Sequence, residues 1–361
     1  MTFWSGRRVL VTGHTGFKGS WLTLWLRELG ANVTGYSLPP ATSPSHYDVA
    51  NVGDGIHSAL ADIRDGQKLK DVVAQARPEV VFHLAAQSLV RPSYENPVET
   101  YEVNVIGTAN LLEAIRACDS VGAVVIVTSD KCYENREWSW GYREADPLGG
   151  HDPYSSSKAC AEIVTAAYRS SYFRGPHAPR IASARAGNVI GGGDWARDRL
   201  LPDLVRALAA GGKPQIRNPR ATRPWQFVLD PLYGYMLLAE HLCGEIGLSF
   251  AEAWNFGPDD RDVRSVGAIV DRVIALWGDG AAYELDTSAQ PHEAQILKLD
   301  SSKARSRLGW SSRLDVETAI SWTIDWYRTW SEHASDAAAK TRMNIEAYST
   351  LVAAQAEMRA V

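Results

Sequence analysis

The stretch RVLVTGHTGFKGSWLTLWLREL, residues 8–29, decides the fold. Val9-Leu10-Val11-Thr12 is a continuous apolar run, the pattern of a strand covered on both faces. Residues 20–29 predict a helix with Leu22, Leu26 and Leu29 along one side, ended by Gly30. Gly13, Gly16 and Gly19 lie between the two, spaced GxxGxxG rather than GxGxxG. Small residues at such a strand-to-helix turn let backbone N–H groups come close to a pyrophosphate at the helix N-terminus. An ordinary βα turn also tolerates glycine. The position favours a nucleotide: directly after the first strand and at the start of a helix.

Further strands are predicted at 32–36, 80–84, 124–128 and 181–185, with helical spacing over 98–118 between two of them. Apolar strands alternating with helices define an α/β protein, a Rossmann-type doubly wound parallel sheet. Residues 1–185 then form a dinucleotide-binding domain. After residue 186, Gly191-Gly192-Gly193, Pro202, Gly211-Gly212, Pro214, Pro219 and Pro224 break the chain into short pieces. They predict a smaller, loop-rich substrate-binding lobe from 186–224 and 257–330. Residues 225–256, helical from 230 to 242, return to the first domain, and 331–361 make an Ala-rich helical tail.

Composition narrows the class. Hydrophobic residues are 45% and charged residues 22% of 361, which excludes wholesale disorder. The net charge of −5 gives no electrostatic reason to expect nucleic acid as a partner. Cys118, Cys132, Cys160 and Cys243 are scattered with no CxxC pair, and His46, His57, His151 and His241 show no ligand spacing, so no metal site is expected. There is no leader-like apolar segment near the start and no apolar run of about 18 residues. The expectation is a cytoplasmic protein with no membrane partner.

Tyr154 and Lys158 form Tyr-x-x-x-Lys, which puts both side chains on one helix face. A phenol titrates near pH ~10, so making it a base at neutral pH takes about 4 kcal/mol of differential stabilisation. A neighbouring ammonium and a cationic nicotinamide ring both favour the phenolate, which can then take a proton from a sugar hydroxyl. Ser129 closes the strand at 124–128, where ligands of open α/β sheets gather, and can bond the same hydroxyl. Asp130 and Lys131 add an acid and a base or cation; by spacing alone, an exposed charged turn accounts for them better. The second strand ends Gly35-Tyr36-Ser37-Leu38, without the acid that usually holds an adenosine ribose, and so leaves NAD against NADP open.

TGHTGFKG (12–19), HLAAQ (83–87), Asn104, Ser129 and Tyr154-x-x-x-Lys158 together resemble the extended short-chain dehydrogenase/reductase superfamily. GHTGFKGSWL (13–22), AAQSLVRPSY (85–94), TSDKCYEN (128–135), RAGNVIGGGDW (185–195) and RPWQFVLDP (223–231) are most similar to its CDP-glucose 4,6-dehydratase family. The resemblance covers about residues 5–330. It implies a tightly held NAD and a nucleotide-sugar substrate, CDP-glucose. The reaction it implies is oxidation at C4, loss of water across C5 and C6, and return of hydride to C6. By the same resemblance Gly13, His14, Thr15, Gly16, Phe17, Lys18 and Gly19 hold the cofactor, with Asp62 and Ile63 at adenine and Leu84, Ala85 and Gln87 along it. Tyr154 and Lys158 serve both cofactor and catalysis, Asp130 is the acid near C6, and Lys131 is the C5 base. The related dTDP-sugar enzymes have Glu where this chain has Lys131. Asn188, Arg199, Arg223 and His292 contact the substrate.

Helices near 98–117 and 154–172 are where that superfamily pairs its subunits, so a homo-oligomer, dimer or tetramer, is expected. Trp322, Trp326 and Trp330 lie on one helix face and are read as packing, not as a sugar platform. Two rivals remain: a 4-epimerase or reductase of the same superfamily, which needs no acid for water loss, and a dinucleotide-binding sensor without catalysis. The intact Tyr154–Lys158 pair argues against the sensor.

Overall fold

The computed structural model describes residues 3–278, 280–286 and 296–360. Seven strands form one sheet: β1 (Arg8–Thr12), β2 (Asn32–Ser37), β3 (His57–Leu60), β4 (Val80–His83), β5 (Ala123–Val127), β6 (Arg180–Ala186) and β7 (Ala253–Phe256). Their order is β7-β6-β5-β4-β1-β2-β3, and every pairing is parallel. Alternate residues of the central strands feed two separate cores, as the period of two requires. Val9, Val11, Val80, Phe82, Val125 and Val127 face one, with Trp21, Leu22 and Trp25. Leu10, Val81, Val124 and Ile126 face the other, with Leu69, Val72, Leu111 and Ile115. That two-sided burial is why these strands read as unbroken apolar runs.

Strand order reverses between β1 and β4, where Thr12 pairs with His83 and the two side chains are hydrogen-bonded at 2.7 Å. A crevice therefore opens beyond their C-terminal ends, the place where such sheets bind ligands. Helix α1 (Phe17–Glu28) leaves it. This helix starts three residues before the predicted residue 20. Gly19 is a poor helix former and hides the true start, but a Cβ there would run into the Gly13 carbonyl. The predicted 98–118 helix is likewise interrupted. Pro97–Tyr101 is followed by a π-helical turn, Glu102–Ile106, before regular winding resumes at Gly107–Arg116.

Beyond β6 the chain forms pairs of two- and three-residue strands around helices, among them α2 (Leu229–Cys243) and α3 (Val316–Glu332). Trp326 of α3 is fully buried, edge-on to Trp195 at 5.6 Å, and its ring lies where a Cβ on Gly192 would go. The tryptophan stripe is packing. The last helix, α4 (Ala337–Ala360), is clamped to the rest. Thr341 Oγ1 accepts from Trp326 Nε1 at 2.8 Å and meets His46 Nε2 at 3.3 Å. Tyr348 lies edge-on to Trp25 and donates to the buried Asp230 carboxylate at 2.7 Å. Among the described residues, no helix is long and apolar enough to cross a membrane.

Candidate functional site

The loop after β1 leaves no room for side chains. Gly13 has φ +75°, and a Cβ on it would lie 2.6 Å from the Ala85 backbone nitrogen. Main chain thus passes main chain between this loop and residues 84–85. Gly16 begins α1 with no side-chain cap, so the positive helix end is open to an anion. A cradle of backbone against an uncapped helix fits a dinucleotide pyrophosphate.

The side chains around it divide. His14 turns away over the sheet, its Nε2 bonded to Ser58 Oγ at 2.7 Å and its ring lying where Gly35 lacks a Cβ. Burial pushes its pKa down to about 4. Thr15 is tied to the end of β2, meeting Ser37 Oγ and donating to Leu38 O, both at 2.8 Å. Phe17 packs beside Gly191. Asp62 is clasped by Arg64 at 2.6 Å, and Ile63 is buried under Gly107. Gln87 is fixed by Asn104, which accepts from its backbone N–H at 2.9 Å and donates to its carbonyl at 2.9 Å and to Ser157 Oγ at 2.8 Å. Asn104 sits in the π-helical turn, a local device for aiming a side chain inward.

Beyond the end of β5, Ser129 starts a short turn, Asp130–Cys132. Its hydroxyl accepts from Lys131 N at 3.2 Å and donates to Asp130 Oδ1 at 3.0 Å. Facing it is the site helix, Pro153–Ser171; Asp152 caps it by accepting from Ser155 N at 2.9 Å, and Pro153 takes its first turn. Tyr154 and Lys158 of this helix are buried against the turn. Asp130 points into the same cleft, where a Cβ on Gly187 would come within 2.6 Å of its Oδ2. Burial raises the Asp130 carboxyl above its usual range, against the pull of Lys131 and Arg223 and the Ser129 hydrogen bond.

Burial pushes Tyr154 up to about 12; the Ser129 hydroxyl and the Arg199 guanidinium hold it down, and Asp130 and Asp152 raise it. Lys158 Nζ is 3.4 Å from Val127 O, and burial brings it down to about 8, with Glu162 pulling it back up.

Arg199 donates to Asp194 at 2.8 Å and to Ser88 Oγ at 3.2 Å. Arg223 Nη1 donates to Thr222 O at 3.0 Å, and Asn188 is placed by its carbonyl, which accepts from Gln226 N at 3.1 Å. His292 lies outside the described residues. Sequence reasoning missed one member, Tyr235. Lys18, read as a loop residue, reaches across the cleft to Tyr235 OH at 3.2 Å, and Tyr235 enters from α2. Burial, then Lys158 and Arg199, lower Lys18 to about 7. A lysine among glycines was the visible signal; Tyr235 had none, being one tyrosine of an apolar helix. Among the described residues no group of His, Cys, Asp and Glu side chains suits a metal.

The GDP-mannose 4,6-dehydratase family model matches residues 10–323. A CDP-glucose 4,6-dehydratase of Salmonella typhimurium is 53% identical over 332 residues, covering 91% of this chain and 92% of that protein. The UDP-glucose 4-epimerase of Thermus thermophilus, solved in complex with NAD, superposes with a TM-score of 0.77 at 25% identity, over 89% of this chain and 99% of its own. A dTDP-glucose 4,6-dehydratase of Bacillus anthracis, also with NAD, shares the fold with a TM-score of 0.75 at 22% identity, over 91% and 98% of the two chains.

Proposed function

The chain belongs to the GDP-mannose 4,6-dehydratase family, and from that premise we propose that it converts CDP-D-glucose to CDP-4-keto-6-deoxy-D-glucose with NAD as cofactor. The observation that carries dehydration rather than epimerisation is Asp130: a buried carboxyl, raised toward its protonated form, in the cleft of Tyr154 and Lys158. The Salmonella relative supports CDP as the carrier of the sugar.

The glycine loop, Leu84, Ala85 and Gln87 hold NAD, with Asp62 and Ile63 toward adenine. NAD held there would supply the acceptor for the C4 hydride and its donor to C6, and its cationic ring would favour the Tyr154 phenolate. Tyr154 takes the O4 proton, and Ser129 bonds the same oxygen. The C4 ketone acidifies the C5 proton, which Lys131 removes. Asp130 gives its proton to the departing C6 hydroxyl, which leaves as water. Lys131 then returns a proton to C5. Each turnover leaves Tyr154 one proton richer and Asp130 one poorer; Ser129, which donates to Asp130 and lowers the Tyr154 phenol, is the route between them. Arg199, Arg223, Asn188 and His292 bind the nucleotide diphosphate, where guanidinium forks suit phosphate oxygens.

Residues 1–185 with 225–256 serve the cofactor and the remaining residues to 330 serve the substrate. Tyr94, Val98, Tyr101, Ile106, Ile163 and Tyr172 are large, apolar and exposed on neighbouring helices; they support a homo-oligomer built across that face. Free thiols at all four cysteines support the cytoplasm. The test is mass analysis of CDP-glucose incubated with the protein and NAD. Loss of one water is the expected result. A new stereoisomer at unchanged mass means epimerisation, and an untouched substrate refutes the reading.

A further inference from the structure

Glu162 is buried, ionisable and absent from the chemistry above. It lies one helical turn after Lys158, on the same face of the 153–171 helix. Its carboxylate accepts three hydrogen bonds: from Thr128 Oγ1 at 2.5 Å, Ser183 Oγ at 2.6 Å and Arg185 Nη2 at 2.9 Å. Arg185 in turn donates to Tyr133 OH at 2.7 Å and Glu144 O at 3.2 Å, and Tyr133 OH donates to Asn255 Oδ1 at 2.8 Å. One carboxylate therefore joins the site helix, the end of β5, β6 and, through Arg185 and Tyr133, β7. Thr128 immediately precedes Ser129 and Asp130, so the carboxylate that follows the lysine along its helix also pins the turn carrying the acid.

We propose that Glu162 is a positioning residue of the reaction: it keeps the Lys158 ammonium charged inside the protein and holds the Ser129–Asp130 turn against it. A buried ammonium needs such a counter-charge, because desolvation favours its neutral form. A buried ion pair is a weak source of net stability, whereas a carboxylate held by three hydrogen bonds from separate elements fixes geometry. Burial opposes ionisation of Glu162, but Arg185, with Ser183 and Thr128, holds its carboxyl below the usual range, so it is anionic at neutral pH. The charged and titratable groups facing Lys158 are Glu162 on its own helix, Cys132 on the 130–132 turn, Lys18 on α1 and His83 on β4. Those facing Glu162 are Arg185 on β6, Lys158 and Arg169 on its own helix and Cys132 on the 130–132 turn.

The inference rests on the proposed function only for what Lys158 does, so the test reads Lys158 directly. Protein labelled at lysine Cε is titrated by NMR, with the Lys158 signal assigned by its loss in Lys158→Met. In Glu162→Gln the Lys158 midpoint is expected to fall by about one pH unit or more, and the alkaline limb of CDP-glucose turnover to move down with it. A wild-type midpoint in the variant overturns the proposal. Should Glu162→Gln not fold, Glu162→Asp, too short to reach Thr128, Ser183 and Arg185 together, is expected to lower turnover and shift the midpoint; an unmoved midpoint there overturns it equally. A midpoint that falls in a protein inert toward CDP-glucose upholds this inference and counts against the substrate instead.

Discussion

Replacing Asp130 by Asn separates the two halves of the reaction. The side chain is 5% exposed, and its Oδ1 accepts from the Ser129 hydroxyl at 3.0 Å. The amide keeps the shape and that acceptor and removes only the proton. A positioned general acid contributes about 10²- to 10⁴-fold, equivalent to roughly 3–5 kcal/mol of barrier. Water loss in Asp130→Asn is therefore expected to slow by that factor while oxidation at C4 survives. The assay is single-turnover: absorbance of the reduced cofactor against the mass of the quenched sugar nucleotide. The variant is expected to accumulate reduced cofactor and a 4-ketone that still holds its C6 oxygen. Folding raises the Asp130 carboxyl. The stability linked to it is whole below the unfolded carboxyl's pKa and is lost as pH rises through the higher folded value. At pH 8 the variant should thus melt no lower than wild type, which rules out misfolding as the cause of lost activity. Turnover to the dehydrated product at an undiminished rate refutes the assignment of the acid.

Lys131→Met is expected to keep C4 oxidation and lose elimination, read as loss of solvent deuterium incorporation at C5; full elimination removes Lys131 from the mechanism. Gly13→Ala, which needs a φ of +75° and meets Ala85, should weaken NAD binding at least about tenfold by calorimetry, given strain of order 1–3 kcal/mol. Burial raises Asp230 to about 6, so the stability of wild type relative to Asp230→Asn should fall by about 3 kcal/mol as pH climbs from the unfolded carboxyl range through about 6. Denaturant titrations of both proteins across that window should show this change in their difference; a difference that does not move with pH refutes it. Ile163→Glu should reduce the oligomer, measured by light scattering, while leaving its melting temperature close to wild type.

The parts legible in the sequence are those that neighbours along the chain determine. β1, its loop and α1 are contiguous, and the central strands announce themselves because both faces are buried. β3 does not: His57–Leu60 is a half-exposed edge strand without an apolar run. Within the site, Tyr154 and Lys158 are visible together through helical spacing. Their electrostatics are not, because of the groups that act on Tyr154 only Asp152 is near in sequence, while Ser129, Asp130 and Arg199 come from distant segments. Glu162 and Arg185 are also separated in the chain, and only the β6 register brings them together. Lys18 could be read as a loop residue but not as a group crossing the cleft, since its partner Tyr235 is 217 positions away.

The clamp made by the final helix bears on biogenesis. His46, Trp326 and Asp230 each take a hydrogen-bond partner from Thr341 or Tyr348. During translation, the nucleotide-binding half emerges complete in its strands long before those two residues leave the ribosome. A nascent chain therefore carries Trp25 without the Tyr348 ring that packs against it, an interval in which a chaperone has something to hold.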